Sequence, residues 1–313
     1  MTKLKGILLT QGMHGMISQV EGLAKALDLD FTHHTVELNN FWDVIPPKLT
    51  PISHNVYKKL NLNDFDYIIS CGRKSVIPSI HLKNTANKKV INIHIQDPKV
   101  DFNHFDFIIA PEHDALKGKN IISTKGAIHY LTNEEIDKHT DYLKNRLDLN
   151  KDYFLLILGG PTKHYKYSEQ NIQIILNLFN DLVNKNNLQG IVIPSMRTPK
   201  NIIELSKIKL EQNSLVIETI DKKAYLSALS LAKYICVTCD STSMISEAAI
   251  TGKPIYFADI PTNKNDQRIR KFRELFSELN IIKKLDNSLE NWNYQKLDET
   301  NRVASIIKQK INS

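Results

Sequence analysis

The sequence predicts an α/β protein built from two doubly wound halves. Three observations carry that expectation. Short apolar, β-branched runs alternate with stretches of helical period along the chain, the pattern of parallel strands joined by crossover helices. Many of these runs end in a polar or glycine-bearing turn, as at Gln11-Gly12, Cys71-Gly72-Arg73, Gly159-Gly160 and Cys239-Asp240. The 313 residues also amount to about two domains of ~150 residues.

In the first half, residues 6–10 form a strand followed by a helix with Met16, Val20, Leu23, Ala24 and Leu27 on one face. Strands are expected at 31–38, 65–70, 90–95, 105–110 and 121–123, a weak helix at 50–60 and a short one at 76–82. Residues 133–147 read as a polar helix and 148–152 as a linker. The second half repeats the alternation, with strands at 154–158, 190–193, 215–218, 234–238 and 254–257. Its helices fall at 168–184, with Ser168 as N-cap, and at 201–210, 224–232, 244–251, 266–279 and 300–311. The expected domains are therefore 1–149 and 150–299, with the terminal helix 300–313 packing back on the first.

Composition narrows the class. Hydrophobic content of 42% and charged content of 24% are ordinary for a globular chain and exclude a fibrous repeat or extended disorder. No apolar run approaches the ~18 residues of a membrane span, and the start lacks a secretory pattern. Three cysteines, an odd and sparse set, fit a reducing, cytoplasmic compartment. Cys236 and Cys239 have no second pair to complete a zinc site, and no metal-ligand spacing such as H-E-x-x-H occurs, so no metal is expected. The net charge of +7 is dispersed, so nucleic acid is not an expected partner. The cluster Arg268, Arg270, Lys271 and Arg273 is either a solvated helix face or a contact for anionic lipid or phosphate.

Ligands of doubly wound sheets bind outside the carboxyl ends of the strands, so the post-strand residues are the candidates. Ser241, Thr242 and Ser243 follow Asp240 and open a helix, whose first amides and dipole favour an anion. Glu247, one turn further, could accept two hydrogen bonds from a ribose diol; the alternative is a plain capped helix with a solvated glutamate. Gly159 and Gly160, followed by Thr162, permit close backbone approach to a diphosphate or simply make a tight turn. Arg197, after Ser195 and Met196, could fork onto phosphate oxygens. In the first half, Gly15, Met16 and Gln19 surround one strand end, Gly72 and Arg73 another, His94, Gln96 and Asp97 a third, and Glu112, His113 and Asp114 a fourth. A carboxylate or imidazole there could take a proton from an acceptor hydroxyl.

Taken together, several stretches resemble the bacterial and plant mitochondrial fission (elongated-mitochondria-type) family. They are Gly15-Met16-x-x-Gln19, Ser70-Cys71-Gly72-Arg73-Lys74-Ser75, His94-x-Gln96-Asp97-Pro98, and Ala110-Pro111-x-His113-Asp114. Two more are Gly159-Gly160-Pro161-Thr162-Lys163-x-Tyr165 and Asp240-Ser241-x-Ser243-Met244-x-Ser246-Glu247-Ala248-x-x-Thr251-Gly252-Lys253-Pro254. Met196 stands where that pattern leads one to expect an arginine. The resemblance implies two Rossmann-like domains facing a cleft, the GT-B architecture. It further implies a metal-independent glycosyltransferase that uses a nucleoside-diphosphate sugar as donor substrate, with no other cofactor. Gly160, Arg197, Ser241 to Ser243 and Glu247 would hold the donor. The first half would hold a cell-envelope glycan or lipid-linked acceptor, with Asp97 as general base and His94 and His113 behind it. Such a bacterial enzyme would be cytoplasmic, with peripheral contact at the inner membrane face. The alternatives are a sugar-nucleotide epimerase of the same architecture, or a non-catalytic adaptor that recruits a membrane-remodelling GTPase.

Overall fold

The computed structural model describes residues 3–62, 64–210, 212–262 and 264–312. It divides into two compact units, one of Met1–Tyr130 with Asp298–Ser313 and one of Leu131–Leu297. The dividing lines fall at 130/131 and 297/298, where the sequence placed them at 149/150 and 299/300. Residues 131–150 belong with the second unit for a local reason. Leu143 N donates to Ser227 Oγ (3.1 Å), Ser227 Oγ to Thr140 O (3.0 Å), and Tyr142 OH to Asp221 Oδ2 (2.8 Å).

The first unit is a parallel sheet of six strands: β1 (Lys5–Thr10), β2 (Asp30–Thr35), β3 (Tyr67–Cys71), β4 (Ile91–Ile95), β5 (Phe107–Pro111) and β6 (Ile121–Thr124). Their order is β2-β1-β3-β4-β5-β6, so it reverses between β1 and β3. Helices α1 (His14–Ala26) and α2 (Val76–Thr85) make crossovers. Both faces of the sheet are covered, which explains why the inner strands read as unbroken apolar runs. Leu8, Ile69, Ile93 and Ile109 face one core with α1; Ile7, Leu9, Ile68 and Ile108 face the other with α2. The expected helix at 50–60 is absent; the single 3₁₀ turn His54–Val56 stands there, after an earlier one at Pro47–Leu49, and Pro51 lacks an amide to donate.

The second unit has β7 (Tyr153–Leu158), β8 (Gln189–Pro194), β9 (Ser214–Val216), β10 (Ala232–Thr238), β11 (Ile255–Ala258) and β12 (Ile282–Lys284), all parallel, in the order β12-β11-β10-β7-β8-β9. Its helices are α3 (Asn133–Asp137), α4 (Glu169–Lys185), α5 (Lys200–Leu210), α6 (Lys222–Leu231), α7 (Thr242–Ala249) and α8 (Gln267–Glu278). The expected polar helix at 133–147 is only α3 followed by two 3₁₀ turns, Thr140–Tyr142 and Lys144–Arg146. Ser168 caps α4 by accepting from Asn171 N at 3.3 Å, and Ile172, Ile175, Leu176, Phe179, Leu182 and Val183 form its buried stripe.

The terminal helix α9 (Glu299–Asn312) belongs to the first unit, where Val303, Ala304 and Ile307 join the core under α1. Thr300 fixes its start, its Oγ1 accepting from His129 N at 3.0 Å and donating to His129 O at 2.8 Å. Gly22 of α1 makes this possible. A Cβ on it would stand 2.4 Å from the carbonyl carbon of His129, and backbone cannot swing aside. Gly22→Ala is therefore expected to destabilise the protein by about 2 kcal/mol, the usual cost of overpacking. Urea unfolding should show a lower midpoint at unchanged slope; an unchanged midpoint would mean that the 128–130 segment yields freely.

Candidate functional site at the carboxyl ends of the strands

In the second unit the strand order reverses between β7 and β10, so the turns after these two strands flank the switch point where such sheets bind ligands. Gly159 and Gly160 end β7. Gly159 N donates to Thr238 Oγ1 at 2.8 Å and Gly160 N to Asp240 Oδ2 at 3.1 Å. A Cβ on Gly159 would meet Asp240 Oδ2 at 2.2 Å, and one on Gly160 the carbonyl oxygen of Arg197 at 2.1 Å. The glycines are required by this close approach of three strand ends.

Asp240 is the centre of the arrangement, its side chain 0% exposed. It also accepts from Thr238 Oγ1 (2.8 Å), Tyr167 OH (3.1 Å) and Arg197 Nη2 (2.9 Å). A buried carboxylate with this many donors is a structural tie. In this structure its lone pairs serve the turns. The Ser195 hydroxyl likewise donates to Gly159 O at 2.9 Å. Thr162 closes its own turn, accepting from His164 N (3.1 Å) and Tyr165 N (3.2 Å). Arg197 spends two of its five N–H bonds on Asp240 and on Gly160 O (3.1 Å) and keeps 39% of its side chain exposed.

Ser241 caps α7, accepting from Met244 N at 3.4 Å, while Thr242 and Ser243 open the helix partly exposed. Glu247 lies four residues beyond Ser243 and thus on the same face. Tyr225 OH of α6 donates to its Oε2 at 2.8 Å. Burial pushes the Glu247 carboxyl up to about 7, and the Tyr225 hydrogen bond opposes that only in part. Lys253, from the Thr251-Gly252-Lys253-Pro254 stretch, places its Nζ on the last carbonyls of α6, those of Leu229 (2.8 Å) and Ser230; burial lowers its ammonium to about 8. The basic cluster on α8 is partly absorbed. Arg273 Nη1 donates to Tyr165 OH (3.1 Å), whose hydroxyl donates to Asp266 (2.6 Å), and Arg270 stands 3.7 Å from Glu274.

In the first unit the reversal lies between β1 and β3. Gly72, with φ of 91°, holds a left-handed turn, and a Cβ there would meet Gln11 Nε2 at 2.5 Å and Met16 Sδ at 2.7 Å. Met16 and Gly72 are thus brought together, and Gly15 is exposed with open space beside it. Gln19 is buried, its side-chain oxygen 3.7 Å from the Cys71 thiol. Burial raises the Cys71 thiol and leaves no reactive thiolate. Arg73 donates to the carbonyls of Ile45 (3.0 Å) and Asp43, holding a loop.

His94 lies inside the sheet. It is 0% exposed in β4, its Nδ1 is 2.8 Å from Ser70 Oγ, and Phe105 lies against its ring at 5.2 Å. Burial lowers it to about 3 against the charge of Asp97, so it is neutral and sealed from any acceptor. Gln96 adopts φ of 85°, and its amide donates to Ile109 O at 2.8 Å, turning the chain sharply at the strand end. Asp97 accepts from Lys99 N (2.9 Å) and Lys99 Nζ (2.5 Å), and Glu112, His113 and Asp114 form a 3₁₀ turn with His113 Nε2 3.8 Å from Asp114 Oδ1. Among the described residues, no group of three or more His, Cys, Asp or Glu side chains is placed to hold a metal ion, and no helix is long and apolar enough to cross a membrane. Sequence reasoning missed Tyr167 and Tyr225, which carry no motif of their own.

Two Rossmann-like units with polar strand ends define the GT-B class. In line with this, the chain resembles solved structures over nearly its whole length. One is the UDP-GlcNAc 2-epimerase of Methanocaldococcus jannaschii (15% identity, TM-score 0.52, covering 97% of this chain and 99% of that one). Another is the Neisseria meningitidis UDP-GlcNAc 2-epimerase bound to UDP-GlcNAc (12%, 0.52, 99% and 100%). The glycosyltransferase of kitacinnamycin is similar too (11%, 0.54, 100% and 92%). The chain belongs to the mitochondrial fission ELM1 family, whose sequence model matches residues 14–311. It is 28% identical to the uncharacterised protein RP120 of Rickettsia prowazekii, across 94% of this chain and 95% of that protein. It is 23% identical to the mitochondrial fission protein ELM1 of Arabidopsis thaliana, across 78% of this chain and 63% of the plant protein's length.

Two outcomes follow for the second unit. Asp240→Ala strands the Gly160 amide and removes the counter-charge of the Arg197 guanidinium, so urea unfolding should show a loss of about 3 kcal/mol or more; a loss below about 1 kcal/mol would remove Asp240 from the centre of the turn. Glu247 binds its proton more tightly folded than unfolded, so its contribution to stability falls as pH rises from its ordinary 4.5 to about 7. Glu247→Gln should flatten that fall by about 2 kcal/mol in unfolding measured across the range, and an identical profile would show the carboxyl to be solvated.

Proposed function

We propose that the chain binds a nucleoside-diphosphate sugar at the carboxyl ends of β7 and β10 and transfers the sugar to a cell-envelope glycan or glycolipid acceptor. The observation that carries this is a coincidence at one switch point. The first turn of α7, the spare N–H groups of Arg197 and the Glu247 carboxyl stand on neighbouring strand ends. Amides and guanidinium suit a diphosphate, and a carboxylate suits the vicinal hydroxyls of a ribose. The UDP-GlcNAc bound by the Neisseria epimerase of the same fold supports the nucleotide class. Gly159 and Gly160 supply the close backbone approach. Thr242 and Ser243 add hydroxyls beside the amides.

The acceptor would lie on the strand ends of the first unit, beside Gly15, Met16, Gly72, Gln96, Glu112 and Asp114. Asp97 is the candidate base and His113 the next. A helix N-terminus and an arginine can stabilise the leaving diphosphate, so the reading needs no metal. Two other readings have support. The epimerase neighbours favour isomerisation of the same donor. The family name, with an Asp97 already engaged by Lys99, favours an adaptor that recruits a membrane-remodelling GTPase.

UDP, tried first among nucleoside diphosphates, should raise the melting temperature by about 5 °C at a hundredfold excess over Kd. Glu247→Ala should reduce affinity by about tenfold or more, the worth of one charge-assisted hydrogen bond. Because the ionised carboxyl is the form that accepts two donors, wild-type affinity should rise with pH through about 7. The reading fails if no nucleoside diphosphate shifts the melting curve. Turnover with donor alone would select the epimerase, and binding without turnover on any acceptor the adaptor.

A further inference from the structure

The loop between β2 and β3 turns large apolar side chains outward. Phe41 is 66% exposed, Val44 78%, Leu49 72% and Ile52 39%, and Met13, just after β1, is 58% exposed. The fold does not need this, since Val36, Val56 and Tyr57 of the same connection are buried in the core and Trp42 packs against it. The loop is held stiffly. Arg73 donates to the carbonyls of Asp43 and Ile45, Lys74 pairs with Asp43 at 2.7 Å, and Thr50 Oγ1 donates to Pro46 O at 3.0 Å. Phe41 stands edge-on to Trp42 at 4.8 Å. A preordered apolar loop loses little entropy when it is covered.

Its charges indicate what covers it. Asp43 is neutralised by Lys74, and Glu37 is paired with Lys58 at 2.5 Å. Lys48 and Lys59 are exposed and stand in no ion pair among the described residues. Lysine is depleted from protein interfaces, whereas apolar side chains beside free lysines match a bilayer with anionic headgroups. We infer that residues 41–52 dock this protein on an anionic lipid surface, with Phe41, Val44 and Leu49 entering the acyl boundary and Lys48 and Lys59 meeting the headgroups. The loop follows β2, whose end is joined to that of β1 where Val36 N donates to Thr10 O. It therefore shares an edge with the strand ends assigned to the acceptor. Resting on the transferase reading, this docking makes a lipid-linked acceptor the substrate class.

Co-sedimentation with vesicles of phosphatidylglycerol and phosphatidylethanolamine, against vesicles of phosphatidylcholine alone, tests it. The full chain should partition to the anionic vesicles, less so at high salt. The Phe41→Ser/Val44→Ser/Leu49→Ser variant, altered only at exposed positions, should melt within a few degrees of the parent yet bind more than about tenfold more weakly. Lys48→Glu/Lys59→Glu should weaken binding several-fold and remove most of its salt dependence. A wild-type chain left in the supernatant, or a triple variant that binds as the parent does, overturns the inference. So does sedimentation velocity showing a wild-type dimer that the triple variant abolishes, which would assign the loop to a second copy. The UDP shift, read in parallel, separates the two claims: its absence with vesicle binding intact sinks the donor reading alone, and the converse sinks the docking alone.

Discussion

The carboxylate of Asp240 is the constraint on which the second unit's strand ends depend. Parallel strands leave their last amides and carbonyls without partners at the carboxyl edge. Three loops that converge there must satisfy one another or stay apart in water. Asp240 draws together the end of β7 through Gly160, the end of β8 through Arg197, and the loop before α4 through Tyr167. Because the carboxylate crowds residue 159 and the Arg197 backbone crowds residue 160, both positions call for glycine. Because Arg197 answers its charge, one face of the guanidinium is fixed while the rest stays available. One buried ion thus sets both the shape of the turn and the aim of its cation.

The electrostatics around α7 follow from the same packing. Glu247 stands in the last turn of the short helix α7, where the dipole does not favour a negative charge, and burial further opposes ionisation. Tyr225 offers it one hydrogen bond, and Tyr225 is held by α6, whose last carbonyls Lys253 caps. A carboxyl with one fixed donor and a proton held near neutrality would gain two donors from a diol at little rearrangement. The Lys253 ammonium, though far from any ligand position described, therefore bears on the site through the helix that carries Tyr225.

Much of this was legible in the sequence, for identifiable reasons. Buried parallel strands are nearly continuous apolar runs, so most strands, and the glycine and polar residues that end them, could be placed from composition alone. Ile282–Lys284 escaped because a three-residue edge strand with two lysines has no apolar pattern. The 133–147 stretch misled because its charges recur at helical spacing, while the backbone breaks into 3₁₀ turns that dock on Ser227 and Asp221. At the site, residue types were readable and their partners were not. An aspartate after a strand looks the same whether it meets a ligand or Tyr167, which lies 73 residues away. His94 looked available because it lies one residue from the end of β4; Ser70 and Phe105, which enclose it, are distant in sequence.

The two switch points differ in what they leave unspent. In the first unit, His94 is buried and neutral, Gln19 packs inward, Arg73 grips a loop and Asp97 is held by Lys99. In the second, Asp240 absorbs the structural burden, and that frees part of Arg197, the first turn of α7 and a weakly satisfied Glu247. Recognition of an anionic, diol-bearing ligand asks only for the second set. Group transfer asks in addition that Asp97 give up its lysine partner, since a carboxylate already holding an ammonium is a poor acceptor for a hydroxyl proton. On the proposed reading, nucleotide binding would be the property that the transferase and the epimerase share. What would divide them is the Lys99 contact at the end of β4, where the left-handed Gln96 turns the chain.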